Sequence, residues 1–88
     1  MKRIHIFIYG HIQGVCFRAN IKELALRLKI NGWVRNTLDG AVEAVFEGND
    51  KDIEKILSYC NKGPLGSRVD KVNIKDEPVS YEKGFEVK

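Results

Sequence analysis

The sequence predicts an α+β sandwich, an antiparallel sheet of four to five strands with two helices on one face, in the order β-α-β-β-α-β-β. Three observations predict it. Ile4, Ile6 and Ile8 alternate with other residues at the start of the chain, the period of a strand with one buried face. Two later stretches repeat apolar residues at helical spacing, each followed by a glycine that can stop a helix. Asp39-Gly40 lies between two runs of strand-forming residues, the signal of a tight hairpin.

The first strand puts Ile4, Ile6 and Ile8 on one side and His5, Phe7 and Tyr9 on the other. Residues 9–18 then form a loop that leads into a helix. Ile21, Leu24, Ala25 and Leu28 recur along one helical face, which predicts a helix over about residues 18–30. Asn31-Gly32 is expected to end it, with the glycine in the left-handed position. Residues 33–37, Trp-Val-Arg-Asn-Thr, read as a second strand. After the turn at Leu38-Asp39-Gly40, residues 41–47 return as a third strand with Val42, Ala44 and Phe46 on one face. Asn49 or Asp50 caps a second helix and Asp52 sits in its first turn, where an acid suits the helix dipole. Its buried stripe is Ile53, Ile56, Leu57 and Cys60, and residues 61–64 stop it. A strand over residues 69–74 follows, then a break at Asp76-Glu77-Pro78 and a short strand over residues 85–87.

Right-handed crossovers combined with a tight hairpin turn this order into a ferredoxin-like sandwich. The first and second strands then run the same way. The loop after the first strand and the later half of the second, with Asn36, face one space. The end of the second helix, with Cys60 and the 63–67 loop, reaches the same rim.

With 88 residues, the chain is sized for one domain, residues 1–88. A hydrophobic content of 43 % with dispersed charge is a globular composition, not a disordered one. No apolar run is long enough to cross a bilayer. The alternating start lacks the continuous apolar core of a secretory signal, so a cytoplasmic protein with no membrane partner is expected, and with no sign of an oligomer interface a monomer is the default expectation. Residues 1–40 carry seven Lys/Arg and two Asp/Glu, a net +5, whereas residues 41–88 carry eight and ten, a net −2. The positive half suits an anionic ligand, and a solvated basic face would give the same count. Cys16 and Cys60 form no C-x-x-C pair and are expected as free thiols. His5 and His11 have no metal-ligand spacing to a Cys or carboxylate, so no metal site is expected.

The chemistry-bearing stretch is the loop. Gly10 and Gly14 bracket it and Arg18 stands where the helix begins. A tight turn alone would explain the glycines. The spacing does not fit a nucleotide P-loop or a dinucleotide fingerprint, and Cys16 and Arg18 are too close together for a Cys-to-Arg phosphatase loop. Arg18 is less easily explained. A helix start favours acids, so a cation there breaks a local rule unless an anion is shared between the two. Backbone N–H groups at a helix start beside a guanidinium would hold a phosphate-like dianion, while pairing with a surface carboxylate is the plainer alternative. Asn36 is unusual in a strand. It either bonds a neighbouring backbone group or holds a water near the anion.

Residues 8–18, Ile-Tyr-Gly-His-Ile-Gln-Gly-Val-Cys-Phe-Arg, resemble the first signature of the acylphosphatase family, with its G-x-V-Q-G-V-x-F-R core. Residues 32–42 followed by Gly48 resemble the second, and Gly63-Pro64, Arg68-Val69 and Gly84-Phe85-Glu86-Val87 resemble later landmarks. Ile12 stands where Val is usual, a one-methylene change that touches no catalytic group. The resemblance implies an enzyme that hydrolyses small-molecule acyl phosphates to a carboxylate and inorganic phosphate without metal or organic cofactor. By the same resemblance, Arg18 binds the phosphoryl oxygens with N–H groups of a loop made of His11, Ile12, Gln13, Gly14, Val15, Cys16, Phe17 and Arg18. Asn36 positions the attacking water.

The main rival reading is a ferredoxin-like module that binds single-stranded RNA through Phe7 and Tyr9, which a pI near 9.0 would suit. The third strand argues against a nucleic-acid partner, because it carries Glu43 and Glu47 and lacks basic residues. A domain that hands on carbamoyl phosphate within a larger protein, as a fused member of the family does, is disfavoured by the free-standing length. Cys16 has apolar loop neighbours and is not read as a nucleophile. His11 is expected to be solvated and Trp33 to be packed.

Overall fold

The computed structural model describes residues 1–14 and 16–88. The elements are β1 (Lys2–His11), α1 (Phe17–Arg27), β2 (Asn31–Asn36), β3 (Val42–Gly48), α2 (Asp50–Lys62), β4 (Arg68–Glu77) and β5 (Phe85–Val87). Alternation works as expected in β1, where Ile4, Ile6 and Ile8 are fully buried between half-buried neighbours. Those isoleucines form one core with Val34, Val42, Ala44 and Phe46 of the sheet and Phe17, Ile21, Ala25, Ile53, Ile56 and Cys60 of the helices. Both helices therefore cover the same face, and the apolar stripe is the cause.

The sheet has five strands in the order β4-β1-β3-β2-β5. β1 and β2 both pair antiparallel with β3, so they point the same way although β3 separates them. The expectation of an antiparallel sheet needs one correction: β5 pairs parallel with β2, with Val34 opposite Val87. The segment after β4 makes this possible by crossing to the far edge. There, Gly32 N–H donates to Gly84 O at 2.9 Å and Gly84 N–H donates to Asn31 Oδ1 at 3.1 Å.

Helix α1 ends earlier than its spacing suggests. Leu28 is the C-cap, and Lys29 rather than Gly32 takes the left-handed position, with φ 57°. Ile30 N–H returns to Ala25 O at 2.8 Å and Lys29 N–H to Leu26 O at 3.3 Å, the paired bonds of a Schellman stop. The buried Ile30 completes that motif. Gly32 has another task inside β2, where a Cβ would lie 1.9 Å from Val45 O. Helix α2 starts as expected, with Asn49 Oδ1 accepting from Asp52 N–H at 2.9 Å. Strand β4 runs on to Glu77 because Asp76 and Glu77 pair with Ile4 and Arg3 across the ladder.

The helix-free face is an ion-pair lattice. Central strand β3 is buried along its whole length, so Glu43 and Glu47 must be paired. Glu43 lies 2.6 Å from His5 Nε2 and accepts from Arg35 Nε at 2.7 Å. His5 Nδ1 lies 2.9 Å from Glu77, which also accepts from Arg3 Nε at 3.1 Å. Phe7 stacks on His5 at 5.3 Å, and Trp33 lies beneath Arg35 and Lys88 at 5.4 and 4.7 Å. Trp33 is thus half-buried by cations on the helix-free face, outside the helix-side core. Of the two rings that an RNA-binding reading would use, Phe7 is stacked on the protein's own His5.

Candidate active site

β1 and β2 deliver their C-terminal ends to one rim of the sheet, and the loop begins there. Gly10 belongs to the strand, not to the loop. It sits where the β1–β4 register shifts, and a Cβ on it would lie 2.0 Å from Arg68 O, so glycine permits close approach at this bulge. His11 ends the strand opposite Arg68 and is exposed. Gly14, at φ 80°, supplies the left-handed backbone of the loop itself.

Two apolar anchors bracket the loop. Ile12 and Phe17 are 1 % and 2 % exposed, and Phe17 meets the ring of Tyr59 on α2 edge-on at 5.9 Å. Burial of two large side chains on either side of a short segment fixes its course. A polar contact adds direction: Gln13 Nε2 donates to Thr37 O at 3.1 Å and to Ala41 O at 2.9 Å. Val15 lies outside the described residues.

Cys16 is the N-cap of α1, with φ 61° and no side-chain cap bond. A non-glycine residue in that region is strained, and the first helical turn contains no acid. The N–H groups of that turn are left without a capping side chain. Arg18, the second residue of the helix, forms no ion pair among the described residues. The carboxylate partner that would have made it an ordinary surface arginine is thus not found among them. Uncapped N–H groups and an uncommitted guanidinium make this end of α1 strongly anion-seeking.

Arg18 and Asn36 line the same cavity, of about 200 Å³. Ile12, Gly14 and Cys16 contribute the loop wall, Phe17 and Ala19 the helix and Val87 the far edge. Asn36 Oδ1 is buried, and no protein donor among the described residues reaches it. A buried acceptor left open is uncommon and costs stability, unless a ligand or water serves it. The remaining loop residues are disposed differently. His11 is at the strand end, and the Gln13 amide turns to the hairpin instead of the cavity.

Sequence reasoning missed Val87 and Ala19. The terminal strand is visible as a run of strand-forming residues, but only its parallel pairing with β2 brings Val87 beside Asn36. Cys16 and Cys60 are free thiols, the first exposed and the second buried. Burial pushes the Cys60 thiol far above its ordinary range, which makes it inert.

The acylphosphatase family model matches residues 4–87. The acylphosphatase of Roseiflexus sp. (strain RS-1) is 44 % identical over 88 residues, covering 99 % of this chain and 95 % of that protein. The crystal structure of acylphosphatase from Bacillus subtilis superposes with a TM-score of 0.94 at 27 % identity, covering 99 % of this chain and 98 % of the other. An acylphosphatase structure from Coxiella burnetii gives 0.93 at 32 % identity, over 99 % and 92 % of the two chains. Matches of this extent reach from β1 to β5 and include both walls of the cavity, so the chain belongs to the acylphosphatase family.

Proposed function

We propose that this chain hydrolyses the carboxyl-phosphate bond of small-molecule acyl phosphates, with Arg18 and the loop N–H groups holding the phosphoryl group and Asn36 holding the water. The observation that carries the reading is the shared cavity: it is lined both by Arg18, which has no ion pair among the described residues and stands at a helix start without a side-chain cap bond, and by Asn36, whose buried Oδ1 has no protein donor among them.

The chemistry suits so sparse a site. A water oxygen bonds to phosphorus as the bond from phosphorus to the acyl oxygen breaks, giving a carboxylate and dihydrogen phosphate. The leaving carboxylate is a stable anion, so no general acid is needed. A phosphoryl oxygen of the substrate accepts a proton from the water. Phosphoryl transfer leaves the protein mainly positioning and charge stabilisation. Arg18 and preorganised N–H groups supply the charge, and they need no rearrangement during the reaction. Asn36 Oδ1 accepts a hydrogen bond from the water and aims its lone pair at phosphorus. Neither a metal ion nor an organic cofactor enters the scheme. All the residues it uses lie on one chain, so the scheme requires no second subunit.

The test is hydrolysis of benzoyl phosphate by purified protein in excess EDTA. Turnover with release of benzoate and inorganic phosphate is the expected result. Activity that appears only on adding a divalent metal would overturn this scheme.

A further inference from the structure

Arg18 and Asn36 arrive on separate pieces of chain, and something has to hold those pieces in register. β1 and β2 share no ladder, because β3 lies between them. Among the described residues, no backbone hydrogen bond runs from the loop to the β2–β3 turn. The hydrogen bonds that do cross come from one side chain, with Gln13 Nε2 reaching Thr37 O at 3.1 Å and Ala41 O at 2.9 Å.

Those acceptors are well chosen. Thr37 and Ala41 close the turn on themselves, with Thr37 N–H donating to Ala41 O at 2.9 Å and Ala41 N–H donating to Thr37 Oγ1 at 3.0 Å. The one hydroxyl proton of Thr37 is donated to the Asp39 carboxylate. The turn is therefore a braced unit, and Asn36 is the residue that enters it. A primary amide has two N–H groups on one nitrogen and both are used here. Glutamate cannot replace them once ionised, and asparagine is one methylene too short.

We propose that Gln13 is a positioning residue, whose amide fastens the phosphate-holding loop to the β2–β3 turn and so sets Arg18 and Asn36 in one catalytic geometry. This rests on the acylphosphatase reading above. The loop N–H groups and Arg18 are on the same segment as Gln13, so loosening the fastening leaves phosphate binding largely intact. What shifts is the water held by Asn36 relative to phosphorus, and displacements near 1 Å cost on the order of a hundredfold in rate.

The experiment compares Gln13→Ala and Gln13→Glu with the unmodified protein, using benzoyl phosphate turnover from pH 4 to 8, competition by inorganic phosphate, and thermal unfolding. For Gln13→Ala, kcat is expected to fall by about tenfold to a hundredfold, while the phosphate inhibition constant changes by less than about threefold. For Gln13→Glu, the protonated acid can still donate one hydrogen bond, whereas the ionised carboxylate repels both carbonyl oxygens. Its kcat relative to the unmodified protein should therefore fall as pH rises through the carboxylate range. A purely structural role would lower the unfolding temperature and leave the pH dependence of kcat unchanged. A Gln13→Ala kcat within about twofold of normal, or a pH-independent Gln13→Glu ratio, overturns the proposal. Failure of the unmodified protein to hydrolyse benzoyl phosphate would overturn the acylphosphatase reading and this proposal with it.

Discussion

The backbone N–H of Ser80 donates to the Glu47 carboxylate at 2.7 Å, and that of Glu82 donates to its other oxygen at 2.6 Å. Glu47 is 1 % exposed, with Arg3 Nη1 3.7 Å away. A carboxylate on the central strand thus tethers the segment that runs from one edge of the sheet to the other. That segment carries β5 and places Val87 on the cavity wall.

Removing the tether should destabilise the fold. Glu47→Ala leaves two backbone donors without their acceptor, and hydrogen bonds to a charged group contribute about 1.5–3 kcal/mol each. A loss of roughly 2–5 kcal/mol in urea unfolding is expected, with a smaller loss for Glu47→Gln, which keeps one acceptor oxygen. An unfolding midpoint unchanged by Glu47→Ala would rule out the tether.

Acid should unfold the protein through the helix-free face. Burial alone would raise the pKa of Glu47, but the N–H groups of Ser80, Glu82 and Tyr81, with Arg3, outweigh it and lower it. Burial of Glu43 is likewise outweighed by His5 and Arg35. Glu77 is lowered first by its bond to His5, then by Arg3. A carboxylate held below its unfolded value stabilises the fold above that value and loses the contribution as pH falls through the depressed one. Stability should hold from neutral pH down to the ordinary glutamate range near about 4.3, then fall steeply below it. Urea midpoints at pH 7, 5, 4 and 3 check this, and equal midpoints at pH 7 and 3 would contradict it.

Arg18 and Asn36 should separate in their effects. Arg18→Ala is expected to lower kcat/KM by about a thousandfold or more and to weaken competition by inorganic phosphate. Asn36→Ala should lower kcat by about a hundredfold with phosphate competition retained. Steady-state kinetics with phosphate titrations distinguish the two. Full activity of Asn36→Ala would remove the water-holding role.

Cys16→Ala should keep turnover within about threefold of normal, because the proposed scheme uses a water and not a thiolate to attack phosphorus. Loss of activity in this variant, with the fold intact by circular dichroism, would point to a covalent intermediate.

Much of this architecture is legible in the residue order. The isoleucines of β1, the Asn49 cap and the stripe through Ile53, Ile56 and Cys60 follow from local periodicity and capping, which depend on neighbours a few positions apart. The loop and its misplaced cation are legible too, since Arg18 breaks the dipole preference at a helix start. Other features are not. The stop at Lys29 in place of Gly32 needed the burial of Ile30 and the close approach of Val45 to Gly32.

What the sequence determined by itself was the set of elements, the helix-side core and the segment that carries Arg18. The tertiary structure alone decided that β5 lies parallel to β2, that Glu47 tethers residues 80–82, and that Gln13 turns to the hairpin. It also decided that Asn36 Oδ1 is buried without a donor among the described residues, in a cavity that Arg18 also lines. The reason is physical. Periodicity reports which face of a local element is buried, whereas the partner of a buried polar group is chosen by strand order and register between residues far apart in the chain.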